Sequence, residues 1–214
     1  YLWDSAASSP MRRLEGHEGN VLFAKFSPSG TWIVTTGTDH SARLWNTATG
    51  RQKFAPLMHK SWVYSADFSP DEQSLVTCSY DGTAKLWNLA TGLELPPSLK
   101  HGEAVVDVRY SADGSRILTA SLDRVARIWD AHEHQLVPFN HTIRHEGRLM
   151  TASLGHDPNH ILTADIDGKV IVWDLKPRLA AVPWGATPVS VAPLPLRCQA
   201  GALQVQARGT NLVI

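Results

Sequence analysis

Four tryptophans stand at a fixed step. Trp3, Trp45, Trp87 and Trp129 are each 42 residues apart, and Trp173 follows after 44. Each is followed by Asp or Asn: Asp4, Asn46, Asn88, Asp130 and Asp174. Self-similarity at this period constrains the chain more tightly than its composition does. A unit so short cannot bury its own apolar face and must stack on its neighbours. Residues that recur with the period are packing residues first, and a repeat built to pack is not built to catalyse.

Other residues keep the same register. Six positions before the last four tryptophans stand Asp39, Asp81, Asp123 and Asp167, and 22 before those stand His17, His59, His101 and His145. Glycine follows two of the aspartates (Asp81-Gly82, Asp167-Gly168), which suits a tight hairpin turn. β-rich stretches flank that turn. Trp32-Ile33-Val34-Thr35, Leu75-Val76-Thr77, Ile117-Leu118-Thr119 and Ile161-Leu162-Thr163 precede it, and runs ending at each tryptophan follow. A further run begins just after each histidine, as in Val63-Tyr64-Ser65-Ala66-Asp67-Phe68. Turn chemistry separates the runs: Ser27-Pro28-Ser29-Gly30, Ser69-Pro70-Asp71-Glu72 and Ser111-Ala112-Asp113-Gly114 close one hairpin, and Thr47-Ala48-Thr49-Gly50 and Leu89-Ala90-Thr91-Gly92 another. Each unit thus carries three clear strands and a weaker fourth, expected before the histidine. Four short antiparallel strands per unit make one blade of a β-propeller.

These residues resemble the WD-repeat (WD40) family, whose G-H…S-P-D-G…S-x-D-G…W-D pattern is followed over residues 14–174. The even repeats with Thr-Ala-Thr-Gly or Leu-Ala-Thr-Gly turns look like prokaryotic-type arrays. The resemblance implies an all-β antiparallel propeller, partial or open, with four clear blades at about 14–46, 47–88, 89–130 and 131–174. It also implies a hydrogen-bonded tetrad of His, Ser or Thr, Asp and Trp in each blade. With the hydroxyl two positions before the aspartate, the tetrads are His59, Ser79, Asp81 and Trp87, then His101, Ser121, Asp123 and Trp129. Gly37 and Asp165 fill that slot in the outer repeats, whose tetrads are then incomplete or differently satisfied. A buried indole N–H and imidazole need partners, because an unsatisfied buried polar group costs ~1–3 kcal/mol.

The register continues beyond these units. Residues 175–214 read as a Pro-rich segment (Pro183, Pro188, Pro193, Pro195) leading to a degraded fifth repeat, with Pro188–Pro193 as a first strand and Ala207–Ile214 as a turn and inner strand. Residues 1–13 read as the end of a preceding blade and a linking strand. Both ends fall inside repeats, so a fragment of a longer propeller is expected, with open blade edges that invite self-association.

The charges balance, with 20 basic and 20 acidic residues, so no global field argues for nucleic acid or an anionic membrane surface. There is no 18-residue apolar run. Cys78 and Cys198 form neither a CxxC pair nor a disulfide framework, which leans towards a reducing compartment, and the expected location is cytoplasmic. The tetrad histidines recur with the fold and are structural. His132-x-His134 lacks a further ligand at suitable spacing, so no metal and no cofactor is expected. No nucleophile elbow, phosphate loop or HExxH motif appears, so no catalysis is expected.

Binding is the better prospect. In WD repeats, partners sit on the face that carries the turn before the structural Asp. The positions three and five after the histidine and one before the aspartate reach that face. They are Asn20, Leu22 and Thr38; Trp62, Tyr64 and Tyr80; Ala104, Val106 and Leu122; Arg148, Met150 and Ile166. Trp, Tyr, Arg and Met are interface types. Trp62, Tyr64, Tyr80, Leu122, Arg148 and Met150 are therefore the candidate protein-binding residues. The expected function is a non-catalytic scaffold that presents a propeller face to protein or peptide partners. Two other readings stay open: a regulatory or sensor segment of a larger signalling enzyme such as a serine/threonine kinase, and a hydrolytic or lectin-like propeller.

Overall fold

The computed structural model describes residues 2–3, 10–133, 142–155, 157, 159–175, 206–208 and 211–213 of the chain. All its regular structure is β, in antiparallel sheets. Among the described residues no helix is long and apolar enough to cross a membrane.

A short pair, β1 (Leu2–Trp3) and β2 (Pro10–Arg12), precedes four blades. Blade one is β3 (Val21–Phe26), β4 (Trp32–Gly37), β5 (Ser41–Asn46) and β6 (Leu57–Met58). Blade two is β7 (Val63–Phe68), β8 (Ser74–Ser79), β9 (Thr83–Asn88) and β10 (Glu94–Lys100). Blade three is β11 (Val105–Tyr110), β12 (Arg116–Ser121), β13 (Val125–Asp130) and β14 (Thr142–Arg144). Blade four has three described strands, β15 (Leu149–Leu154), β16 (His160–Asp165) and β17 (Val170–Asp174). A final pair, β18 (Gln206–Arg208) and β19 (Asn211–Val213), falls within the expected fifth repeat. The first strand expected for that repeat, Pro188–Pro193, lies outside the described residues.

The weak fourth strand is where the sequence places it, just before the histidine, but it pairs with the tryptophan strand of the preceding unit. Leu57 faces Ala42 and Leu95 faces Leu86. The sheets of blades one to three are therefore completed by residues of the next repeat, which ties successive units together.

The second strand of blades one to three is buried along nearly its whole length, whereas that of blade four is buried on alternate residues. A sheet sandwiched between two others has no wet face, so both sets of side chains are apolar or hydrogen-bonded. The core is accordingly a series of inter-blade layers. Val34, Ala42, Leu44 and Leu57 of blade one pack on Val63, Ala66, Phe68, Leu75 and Trp87 of blade two. Val76, Cys78, Ala84, Leu86 and Leu99 pack on Val105, Val108, Tyr110, Ile117 and Trp129. Leu118, Ala120, Ala126, Ile128 and Ile143 pack on Leu149, Ala152, Ile161 and Trp173. Each large aliphatic side chain buried this way is worth ~1.5–3 kcal/mol.

Two buried carboxylates latch the inner strands across blades. Asp67 accepts from Lys25 Nζ of blade one (2.7 Å) and from the Tyr110 N–H of blade three (2.9 Å). Asp107 accepts from Thr151 Oγ1 of blade four (2.6 Å) and sits 3.1 Å from Arg109 Nη2.

Candidate functional site

The tetrads set the frame of the loop face. In all four blades the indole N–H donates to a threonine hydroxyl: Trp45 to Thr35 (2.7 Å), Trp87 to Thr77 (2.8 Å), Trp129 to Thr119 (2.9 Å) and Trp173 to Thr163 (2.7 Å). The same hydroxyl meets the Nε2 of His17, His59, His101 or His145 at 2.6–2.8 Å. The imidazole then spends its Nδ1–H on an aspartate: His17 on Asp39 (2.8 Å), His59 on Asp81 (3.1 Å), His101 on Asp123 (3.1 Å) and His145 on Asp165 (3.2 Å). A hydroxyl can accept from the indole and donate to a neutral imidazole at once, so one threonine satisfies two buried groups.

This corrects the sequence reading in two respects. The bridging hydroxyl stands four residues before the aspartate, not two. Ser79 instead donates to the Ser61 carbonyl (3.1 Å) and accepts from the Asp81 N–H (3.1 Å), so it pins the turn. Ser121 does the same with Glu103 and Asp123. Because Thr35 and Thr163 are present, no tetrad is incomplete. In the fourth blade Asp165, not Asp167, reaches the histidine. An aspartate in the slot that serine fills elsewhere is long enough to bond His145 from the strand end, leaving Asp167 exposed.

Burial disfavours the charged form of His59 and of His101 and holds each below the usual histidine value, against the pull of its aspartate. Burial pushes the Asp81 and Asp123 carboxyls up. The hydrogen bonds from the imidazole and from the backbone N–H of Lys60 or Gly102 outweigh that and hold both well below the carboxylate range. The tetrads of blades two and three are thus neutral imidazole on ionised carboxylate, a locked structural unit.

On this frame the loop positions align. The N–H before the aspartate turn donates to the carbonyl three after the histidine in every blade: Thr38 to Asn20, Tyr80 to Trp62, Leu122 to Ala104 and Ile166 to Arg148, each at 2.9 Å. Every inner strand then skips one residue in its pairing. Val63 faces Ser79 and Ser65 faces Cys78, so Tyr64 has no partner across the ladder. Leu22, Val106 and Met150 are skipped in the same way. A β-bulge re-aims the extra side chain, and here it recurs at the candidate position five after each histidine.

Trp62 and Tyr80 are 45% and 52% exposed, although both are large aromatics on ordered loops. Their ring centroids are 6.1 Å apart, and Tyr64 lies 6.3 Å from Tyr80. Tyr64 also packs on the layer between blades two and three. Burial, and secondarily Tyr80, raises its phenol pKa. The structure therefore brings Trp62, Tyr64 and Tyr80 together as one aromatic surface. Leu122 is half-buried above the buried Ala104. Arg148 and Met150 stand apart on blade four with the exposed Ile166, and Arg148 reaches back to Glu103 of blade three at 3.9 Å. Of the two spaced histidines, His132 lies in the turn after Asp130, and His134 lies outside the described residues. The bridging threonines were missed by the sequence reading, although Thr35, Thr77, Thr119 and Thr163 stand ten before each tryptophan. The latch residues Asp67 and Asp107 keep no common register, and nothing in the repeat marks them.

Comparison with known proteins agrees with this frame. The WD40 family (WD domain, G-beta repeat) matches residues 8–46, 54–88, 95–130 and 138–174, well over half of the chain. The chain belongs to the WD40 repeat family. Among curated relatives, it is 45% identical over 53 residues to Ribosome assembly protein 4 of Chaetomium thermophilum, covering 24% of this chain and 10% of that protein. It is 44% identical over 52 residues to the Notchless protein homolog of Arabidopsis thaliana, covering 24% and 11%. It is likewise 44% identical over 52 residues to a guanine nucleotide-binding protein subunit beta of Arabidopsis thaliana, covering 24% and 14%. The chain thus spans only a small part of the length of the relatives it matches.

Proposed function

We propose that this WD40 chain is a non-catalytic scaffold whose aromatic rim of Trp62, Tyr64 and Tyr80 holds a peptide segment of a partner protein, with Leu122, Arg148 and Met150 extending the contact. One observation carries the reading: Trp62 and Tyr80 are about half exposed and lie tilted against each other, with ring centroids 6.1 Å apart, instead of entering a core layer. Exposed aromatics with no packing role are the usual anchors of protein interfaces. The relatives carry the names of ribosome assembly and G-protein subunits, and proteins that act within assemblies support a scaffold rather than an enzyme. The regulatory-segment reading has no observation in its favour.

The test is selection of displayed peptides on the wild-type protein, followed by titration against Trp62→Ala and Tyr80→Ala. Each variant is expected to weaken binding by at least about 30-fold, the size of a hot-spot loss. Each should keep its stability to within about 1 kcal/mol, as exposed positions do. Peptides indifferent to both changes, or variants that unfold, would sink the reading.

A further inference from the structure

The first residue of the second strand holds the same place in every blade, at the end of the sheets away from the tetrad turns. Trp32, Ser74, Arg116 and His160 stand there, each paired with the last residue of the tryptophan strand. The side chain at that place decides whether the seam between two blades is filled. Between blades one and two it is filled. Trp32 packs on the inter-blade layer with Phe54, and the Lys53 ammonium lies 4.3 Å from a Trp32 ring centroid. The same ammonium donates to the Leu89 carbonyl of blade two (2.6 Å). An indole and a cation thus close the first seam.

Between blades two and three both are replaced. Ser74 stands for Trp32, and Leu95 stands for Lys53: the Lys53 N–H bonds the Leu44 carbonyl, and Leu95 faces Leu86, 42 residues on. The small Ser74 hydroxyl reaches only to the Tyr110 hydroxyl of blade three, at 2.8 Å. A cleft of about 460 Å³ remains beside that pair, within the range of small-molecule sites. Leu86, Leu95 and Ala131 give it an apolar wall. Asp71 and Asp113, both exposed, line it from the turns of blades two and three. Hydrogen bonds from Ser69 and the Gln73 N–H hold the Asp71 carboxyl below its usual value, and those from Ser111 and Ser115 hold that of Asp113 at about 2. Both are charged at neutral pH. Among the described residues no lysine or arginine lines the cleft, and His132 is the one base there.

We infer that the cleft between blades two and three binds a small aromatic amine, its ring against Leu86, Leu95 and Tyr110 and its protonated nitrogen facing Asp71 and Asp113. The ligand chemistry follows from the neighbouring seam. Blade one closes the equivalent place with a ring and an ammonium of its own. Blade two lacks both and presents an apolar wall with two negative charges at its edge. A ring entering the apolar part is driven by area removed from water. A cation held at the exposed edge keeps part of its hydration, so its desolvation cost is small. The cleft lies at the opposite end of the sheets from Trp62 and Tyr80, so this site stands apart from the peptide-binding reading of the rim.

Calorimetric titration of the full 214-residue chain with tryptamine tests this, beside tryptophol, the neutral alcohol of the same shape. Tryptamine should bind saturably and at least about tenfold more tightly than tryptophol, the effect of one hydrogen bond to a charged group. Asp113→Asn keeps the turn acceptor and should remove most of that preference. Ser74→Trp places the residue of blade one in the cleft and should abolish tryptamine binding in a protein that circular dichroism shows to be folded. Leu95→Lys, which restores the counterpart of Lys53, takes its place if Ser74→Trp does not fold, and should abolish binding too. Trp62→Ala should bind tryptamine as the wild type does, which separates the cleft from the aromatic rim. No saturable binding of tryptamine, equal affinity for tryptophol, binding that survives the cleft-filling variant, or loss of binding in Trp62→Ala would overturn the inference.

Discussion

Replacing the hydroxyl of Thr77 with a methyl tests the tetrad at its centre. Thr77→Val keeps the shape of a fully buried side chain but strands two groups. The Trp87 indole N–H, 2.8 Å from Oγ1, loses its acceptor, and the His59 Nε2, also at 2.8 Å, loses its donor. Water cannot reach them, since the His59 side chain is 0% exposed and Trp87 only 6%. Each stranded group costs about 1–3 kcal/mol. The new buried methyl returns about 0.8 kcal/mol. The net loss is then about 1–5 kcal/mol, read as a lower midpoint at unchanged slope in urea denaturation followed by tryptophan fluorescence and circular dichroism. Thr77→Ser keeps the bridge and loses one methyl, so it should cost about 1 kcal/mol. Ser79→Ala removes two turn bonds and should also cost about 1 kcal/mol. If Thr77→Val fell within 1 kcal/mol of wild type, or Ser79→Ala cost as much, the threonine would not be the bridge.

Other outcomes follow from the same fold. His40 (φ 65°) and Arg124 (φ 68°) take the left-handed position that Gly82 and Gly168 fill in the other blades (φ 82°), so His40→Gly and Arg124→Gly should each gain about 0.5–1 kcal/mol in chemical denaturation, and a loss would count against strain there. Asp107→Ala leaves Arg109 and Thr151 without their buried acceptor and should cost about 3–5 kcal/mol, seen as a large drop in melting temperature. The urea midpoint should fall as pH drops from about 7 to 5, because the folded pKa values of His59 and His101 lie below the unfolded 6.5 and the unfolded chain takes up those protons first. It should fall again below about pH 4 as Asp81 and Asp123, depressed in the fold, lose the stability they contribute above that value. A midpoint flat between pH 7 and 5 would contradict the neutral, buried state of both histidines.

The repeat made most of the fold legible. A fixed step between tryptophans, with aspartate and histidine in register, marks units that must stack, and strand and turn chemistry then place the blades. What it hid was partner choice. The fourth strand gives no sign in its own residues that it bonds the preceding unit, because hydrogen bonding across units is a property of the stack. The serine slot was a plausible tetrad member because Ser79 and Ser121 do recur, yet they recur to pin a turn. The threonines recur equally well, and only distance separates the two roles. Asp167 was misread for a related reason: period identifies a position, but in blade four the neighbouring Asp165 has the reach and takes the partner. The aromatic rim was readable because Trp62 and Tyr80 break the pattern at positions where the other blades carry Asn20, Thr38 and Ala104.

If the rim binds peptide as proposed, that contrast separates stability from recognition in this architecture. Thr35, Thr77, Thr119 and Thr163 are invariant among the four blades, are at most 7% exposed and are bonded on both sides. Any change there is felt by the fold. The bulge position is equally invariant in geometry but not in occupant: Leu22, Tyr64, Val106 and Met150 stand on the same backbone feature. Conserved geometry with variable chemistry is how a repeat can alter its binding surface without altering its packing. Changes at the threonines should therefore lower the melting temperature and, below it, leave peptide affinity at the rim intact. Changes at Trp62 and Tyr80 should do the reverse. A threonine variant that stayed folded yet lost peptide binding as completely as Trp62→Ala would show that the tetrads position the rim as well as hold the blades, and the separation would fail.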